Sequence, residues 1–293
     1  MAVHGLELHR SSAGLRGTAT GLRQLPTVAK YIDTSICIGC KACEVACQEW
    51  NDLPVADTQQ TGTYQTMPET TSHYWNLIKF KEVEAPQGFA WLMRKDQCMH
   101  CADPGCLAAC PAPGAIVQYK NGIVDVDPER CIGCGLCETG CPFDIPRYAV
   151  GTNKMAKCTL CVDRVEVGLE PACIKACPTG CLQFGEKNAL LEVAAHRVKQ
   201  LQTDGFANAA VYDPPGVGGT GVITILKHGD HPEWYGLPKD PHIPTAVSFW
   251  KKIIHPIGFV AMAAVIAGVF GHFMTFGPKK VKGGPTKDKE SAP

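Results

Sequence analysis

The chain lacks an excess of either charge, since 28 Lys and Arg balance 28 Asp and Glu over 293 residues. A nucleic-acid surface needs a basic excess, so that class of partner is not expected. Residues 1–30 lack the apolar stretch that a secretory leader would show. There is no G-K-[ST] for a phosphate-gripping loop. The one G-x-G-x-x-G match, Gly216-Val-Gly218-Gly-Thr-Gly221, runs into Val-Ile-Thr-Ile-Leu. A dinucleotide fingerprint must open a helix there, so the match reads as a glycine-rich connector. No nucleophile–base set is visible, and no catalytic site is expected on this chain.

What the chain has is cysteine, 17 of them, all between Cys37 and Cys181. A disulfide framework belongs to short secreted chains with an even count, which this is not. Structural zinc favours separate C-x2-C pairs. The stretch CIGCGLCETGCP, residues 131–142, instead follows the C-x2-C-x2-C-x3-C-P spacing by which a run of thiolates grips an iron–sulfur cube. Four such runs can be read. They are Cys37, Cys40, Cys43, Cys47; Cys98, Cys101, Cys106, Cys110; Cys131, Cys134, Cys137, Cys141; and Cys158, Cys161, Cys173, Cys177. Sixteen thiols make four [4Fe–4S] clusters with four ligands each.

In this spacing three close thiols hold one cube and the fourth reaches the neighbouring one. We expect the fourth to begin a helix, with the proline after it in the first turn. Between runs two and three, AIVQY-KNG-IVDVD alternates around a Lys-Asn-Gly turn and predicts a hairpin. The segment CPTGCLQFG after run four echoes CPAPGAIVQY after run two. Runs two and three then form one ferredoxin unit, and runs one and four the other. The cages are Cys37, Cys40, Cys43 with Cys177 (cluster 1) and Cys47 with Cys158, Cys161, Cys173 (cluster 2). Cluster 3 takes Cys98, Cys101, Cys106 with Cys141, and cluster 4 takes Cys110 with Cys131, Cys134, Cys137. Spacing alone also admits a sequential pairing of the runs.

Several residues near the runs have a plain reading beside a functional one. Cys181 occupies the position matching Ala115 and reads as a small buried residue rather than a ligand. His100, between two ligands, reads as packing or a hydrogen bond behind the ligands. Arg94, Lys95, Lys157, Arg164 and Lys175 lie near cluster loops and could raise potentials, or could be ordinary solvated charges.

After the runs, Leu190, Ala194, Val198 and Leu201 fall at helical spacing and predict a helix packed on the cluster body. Residues 227–247, rich in Pro, Gly and aromatics, predict an irregular segment. From Ile253 to Phe276 there are 24 residues without one Asp, Glu, Lys or Arg. As a helix they span roughly 36 Å, enough for a bilayer core of about 30 Å. Trp250 and Phe276 suit the interfaces, with Lys251–Lys252 before and Lys279–Lys280 after. The five lysines Lys279, Lys280, Lys282, Lys287 and Lys289 predict a cytoplasmic C-terminus and clusters on the outer face. With no signal of its own visible, such a topology would need a partner that carries an export signal. Small residues Gly258, Ala261, Ala264, Gly268 and Gly271 suit packing against other helices. His272 could reach a haem or quinone there, but reads first as a polar contact near the interface.

The fold class expected is α+β: two interwoven bacterial-ferredoxin-like units with irregular connections, plus one C-terminal transmembrane helix. The expected divisions are an N-terminal extension 1–30, a double ferredoxin-like domain 31–185, a connecting helix and linker 186–247, an anchor helix 248–277 and a basic tail 278–293.

The runs CMHCADPGCLAACP and KCTLCVDRVEVGLEPACIKACPTG resemble the iron–sulfur subunits of molybdopterin oxidoreductases. The segment GVGGTGVITILKHGDHPEWYGLPKDP, continuing into SFWKK and a lone membrane helix, narrows this. It resembles the β subunit of bacterial respiratory membrane-bound formate dehydrogenases, over about residues 30–280. Run one closes on Gln48 instead of proline, as such subunits do, and Cys181 departs from the alanine usual there. The resemblance implies the nested cages given above. It also implies a catalytic subunit with a molybdenum or tungsten pterin and selenocysteine or cysteine, exported by its own twin-arginine signal. A cytochrome b subunit would deliver electrons to a quinone, in a trimer of heterotrimers at the inner membrane, with the cluster part in the periplasm. The alternatives weighed are the same relay in a membrane hydrogenase or another molybdopterin oxidoreductase, and, in a different class, a membrane-tethered zinc-binding scaffold.

Overall fold

The computed structural model describes residues 8–12, 27–60, 62–85, 88–149, 151–249 and 253–277. Trp250, Lys251, Lys252 and the five tail lysines lie outside these residues. The chain divides into two units, Met1–Val247 and Ser248–Pro293.

The first unit opens with β1 (Leu8–Ser11), β2 (Val28–Asp33) and α1 (Ala42–Trp50), then a hairpin of β3 (Asn76–Ala85) and β4 (Gly88–Gln97). It continues through α2 (Gly105–Ala109), β5 (Ile116–Tyr119), β6 (Val124–Val126), α3 (Leu136–Thr139), β7 (Arg147–Ala149), β8 (Lys154–Ala156), α4 (Val162–Glu166) and α5 (Ala172–Lys175). It closes with β9 (Leu182–Glu186), α6 (Lys187–Thr203), β10 (Ala210–Tyr212) and β11 (Val222–Leu226). Helix α7 (Thr245–Phe249) and helix α8 (His255–Phe276) follow.

A four-stranded sheet in the order β10-β11-β2-β9 is the frame, with β11 parallel to β2. Side chains alternate across β2 because a strand repeats every two residues. Ala29 and Tyr31 face α6, where Leu190, Ala194 and Leu201 are buried against them as the helical spacing predicts. Each such buried leucine contributes roughly 2 kcal/mol. Ile32 points the other way and joins a core that contains Cys43, Cys173 and Cys181. The strand is therefore a wall between an ordinary apolar core and a sulfur-rich one.

The predicted hairpin is present as the antiparallel pair β5–β6, and β1 adds to its β5 edge. The segment echoing it forms β9, paired antiparallel to β2. Helix α1 packs on α5 and α2 packs on α3, so runs one and four meet, as do runs two and three.

One local expectation is reversed. Each of these helices begins before the third cysteine of its run, not at the fourth. Cys43 and Cys47 lie in α1; Cys106, Cys137 and Cys173 lie in α2, α3 and α5, which end at or just before Cys110, Cys141 and Cys177. In α1 the x3 gap sets the last two thiols one turn apart on one helix face, about 5.4 Å along its axis, whereas the other three helices end before the fourth thiol. Pro111, Pro142 and Pro178 stand after the helix ends, where proline stops a helix rather than starts one.

In the second unit, Pro256 lies in the first turn of α8 and is tolerated there. Among the described residues α8 alone is long and apolar enough to cross a membrane, and none of it is buried. Gly258, Gly268 and Gly271 face open space, and the His272 ring lies 5.1 Å from that of Phe276.

Candidate metal centres

The cysteines converge from distant parts of the chain. Cys37, Cys40, Cys43 and Cys177 line one hollow together with Cys181. The thiols of Cys158, Cys161 and Cys173 crowd Cys47, and burial above all pushes Cys47 up to about 12. Burial and then Cys98, Cys106 and Cys141 push Cys101 well above the ordinary thiol value. Cys131, Cys134 and Cys137 line a further hollow. Burial, then Cys110, Cys131 and Cys134, raise Cys137 to about 12. Thiols held this high keep their protons until a metal displaces them.

These four groups stand in a row. Helix α1 carries Cys43 of the first group and Cys47 of the second, and Cys177 of the first follows just past the end of α5, which carries Cys173 of the second. Cys106 and Cys110, and Cys137 and Cys141, relate the third and fourth likewise. Cys98 and Cys158 share a small apolar cluster with Cys141, which brings the second group beside the third. The ends of the row are open and its middle is closed. Cys40 and Cys134 are exposed. Beside them Ile38 is 60% exposed and Ile132 66%.

Among the described residues no three His, Cys, Asp or Glu side chains converge tightly enough for a single metal ion. A tetrahedral zinc, with Zn–S near 2.3 Å, requires that tightness, whereas a cube spreads its four ligands over its corners.

Buried charge supplies a second test of fit. Lys30 is fully buried; its ammonium donates to Gln97 Oε1 at 2.9 Å and to Cys173 Sγ at 3.2 Å. Lys157 is buried and donates to the carbonyls of Val124 (2.5 Å) and Cys158 (3.0 Å). Lys95 is buried, and its ammonium has no hydrogen-bond partner among the described residues. A buried ammonium without an anion is costly. Burial lowers the Lys30 pKa, but Cys173, Cys158 and Cys161 outweigh it and hold the group above the ordinary lysine value. Burial pushes Cys173 up, yet Lys30 and Lys95 hold it below the ordinary thiol value. A four-thiolate iron–sulfur cube carries net negative charge and is the kind of anion these lysines lack.

The remaining candidates separate. Arg94 is committed to Asp96 at 2.7 Å and to the Tyr235 carbonyl, Arg164 stacks 4.2 Å over Trp50, and Lys175 is exposed. Lys30 was not among the sequence candidates; alternation within β2 is the signal that could have found it. His100 accepts the backbone N–H of Val124 on Nδ1 at 3.1 Å, the hydrogen-bonding role expected of it. Cys181 is buried, with its sulfur 3.5 Å from Cys177 Sγ. The glycine-rich connector lies along run two: Ala102 N–H donates to the Gly219 carbonyl, and Gly221 N–H to that of His100. A Cβ on Gly221 would stand 3.1 Å from that carbonyl oxygen, so its glycines serve close backbone approach.

Comparison with known proteins places these features. Two matches to a 4Fe-4S dicluster domain cover residues 36–115 and 89–187, and a match to the formate dehydrogenase N transmembrane region covers 243–285. The chain is 52% identical to a formate dehydrogenase iron-sulfur subunit of Haemophilus influenzae over 86% of its length and 81% of the relative's. It is 53% identical to the nitrate-inducible formate dehydrogenase iron-sulfur subunit of Escherichia coli, over 86% of each. To the formate dehydrogenase-O iron-sulfur subunit of the same species it is 52% identical over 96% of its length and 94% of the relative's. Two dicluster domains and the cysteine inventory fit four [4Fe–4S] clusters, and α8 makes the chain a single-pass membrane protein. With mixed helix and strand, paired cluster domains and one apolar C-terminal helix, the chain belongs to the family of formate dehydrogenase iron–sulfur subunits.

Proposed function

We propose that this chain carries electrons from a formate-oxidising subunit to the membrane through four [4Fe–4S] clusters. The observation that carries this reading is the row of four thiol groups, closed in the middle and open at Cys40 and Cys134. Cluster 1 is held by Cys37, Cys40, Cys43 and Cys177, and cluster 2 by Cys47, Cys158, Cys161 and Cys173. Cluster 3 is held by Cys98, Cys101, Cys106 and Cys141, and cluster 4 by Cys110, Cys131, Cys134 and Cys137. What supports the nested grouping is the crowding of Cys47, Cys101 and Cys137 by those same partners. When bound, each cluster takes up and passes on one electron.

The chain's own residues do the rest. Helix α1 holds thiols of two neighbouring cages one turn apart, and α2, α3 and α5 each hold one thiol and lead the chain to the next. Buried side chains such as Ile32, Ile145 and Leu160 keep water from the inner thiols. The open rims at Ile38 and Ile132 are where a donor and an acceptor would approach. In this reading residues 31–185 hold the clusters, 186–247 connect, 248–277 anchor, and 1–30 and 278–293 are extensions. The donor is a catalytic subunit with a molybdenum or tungsten pterin, and the acceptor a cytochrome b that reduces quinone, in a trimer of heterotrimers. The lysine-rich tail supports a cytoplasmic C-terminus with the cluster part in the periplasm.

The test is anaerobic purification from membranes with partners retained. We expect about sixteen iron and sixteen acid-labile sulfide per chain, four of each per cluster, and EPR signals that formate brings up. Zinc without sulfide would overturn the relay. Clusters that formate does not reduce would overturn formate as the electron source.

A further inference from the structure

The three buried lysines are unevenly placed along the row. Lys30 reaches the second group directly, through its 3.2 Å contact with Cys173 Sγ. Lys157 sits where the second and third groups meet, bonded to the Cys158 carbonyl at 3.0 Å. Lys95 lines the hollow of Cys37, Cys40, Cys43 and Cys177. Cys43 lines that same hollow, and Cys47 of the second group lies one turn from Cys43 on α1, so Lys95 stands on the side of the first group nearest the second. Among the described residues the fourth group has no equivalent. Lys154, bonded to the Cys131 carbonyl at 2.6 Å, is only half-buried. Arg147, which lines that hollow, is already bonded to Asp144 and Glu69.

On the electron-carrier reading above, an electron arriving at a cage adds one negative charge to it. A fixed cation favours that charge more strongly when both are away from water, since screening is weakest there. An N–H donated to a ligand sulfur acts in the same direction. We propose that Lys30, Lys95 and Lys157 are positioning residues for electron transfer, making the cage of Cys47, Cys158, Cys161 and Cys173 the most easily reduced of the four. The cage of Cys110, Cys131, Cys134 and Cys137 is the hardest to reduce. The row is graded by charge in the protein, with an electron resting place inside it rather than at an end.

Redox titration followed by EPR on the intact complex tests this, with Lys30→Met and Lys30→Arg compared with the unaltered protein. In K30M the most positive of the four components should move to lower potential while the most negative stays in place. Arginine should restore much of the difference, because it keeps the charge. Unmoved potentials in K30M at full iron and sulfide content would overturn the inference, as would a shift confined to the most negative component. If K30M loses iron, Lys95→Met is read by the same rule: the most positive component and one other should fall, and no movement overturns the inference. A wild-type preparation without iron or sulfide would overturn the electron-carrier reading itself, an outcome distinct from intact clusters with unmoved potentials.

Discussion

Gly105 and Gly140 meet backbone to backbone: a Cβ on Gly105 would stand 2.2 Å from the Gly140 carbonyl oxygen, and one on Gly140 would stand 2.6 Å from Ala109 Cβ. These two glycines set how closely α2 approaches α3. Gly140→Ala should push the two helices apart and misplace Cys106, Cys110, Cys137 and Cys141. In the proposed grouping those thiols serve two cages, so iron and sulfide per chain should fall by about half. Full metal content in this variant would refute the argument.

Cys181 stands 3.5 Å from Cys177 in sulfur-to-sulfur distance, yet only Cys177 is assigned as a ligand. Cys181→Ala should keep full iron and sulfide content, and Cys177→Ala should lose iron. Metal analysis of the two variants side by side separates ligand from neighbour.

Asp96 joins two cations, Arg94 at 2.7 Å and Lys79 at 2.8 Å, and is itself buried. Burial raises its pKa, but Arg94 and Lys79 overcome that and hold the carboxyl below the usual carboxylate range. Asp96→Asn strands the Arg94 charge, and breaking a pair this buried costs on the order of 3 kcal/mol. Lys79 is 31% exposed and can turn to water, so Lys79→Met should cost less. Thermal unfolding of the two variants should rank them in that order.

His228 is buried between the rings of Phe206 and Trp234. Burial lowers its pKa; Asp230 opposes this, while Lys227 and His231 add to it, and the net shift is downward. The unfolded chain therefore takes up a proton near the ordinary histidine value of about 6.5 while the folded chain does not. The stabilising contribution is complete above that pH and is lost as pH falls below it. His228→Phe keeps an aromatic body and should flatten this part of the difference in melting temperature between pH 7.5 and 5.5. An unchanged pH dependence in the variant would remove His228 from the account.

The convergence of the four cysteine runs was legible in the sequence because spacing within a short run carries its geometry. The α6 stripe of Leu190, Ala194 and Leu201 and the β5–β6 hairpin were legible for the same reason, since their periods are local. The helix starts of runs one and three are not legible in the spacing because the residues ahead of them, Lys41 and Gly135, take the left-handed conformation, which sets each start one residue before the third thiol. Lys30 is less legible because its partner Cys173 is 143 positions away in the chain. The β3–β4 hairpin, which supplies Lys95 and the Gln97 acceptor for Lys30, has no cysteine to announce it.

The proposed borrowing of a fourth thiol across paired runs has a consequence for biosynthesis. As the ribosome releases the chain from its N-terminus, Cys37, Cys40 and Cys43 emerge early, but their cage waits for Cys177. The cages of runs two and three wait for Cys141 and Cys137. Iron delivery to each cage therefore waits until its last thiol has emerged, for the first cage not before Cys177. Until then the early thiols depend on a reducing cytosol, or on a chaperone, to stay unoxidised.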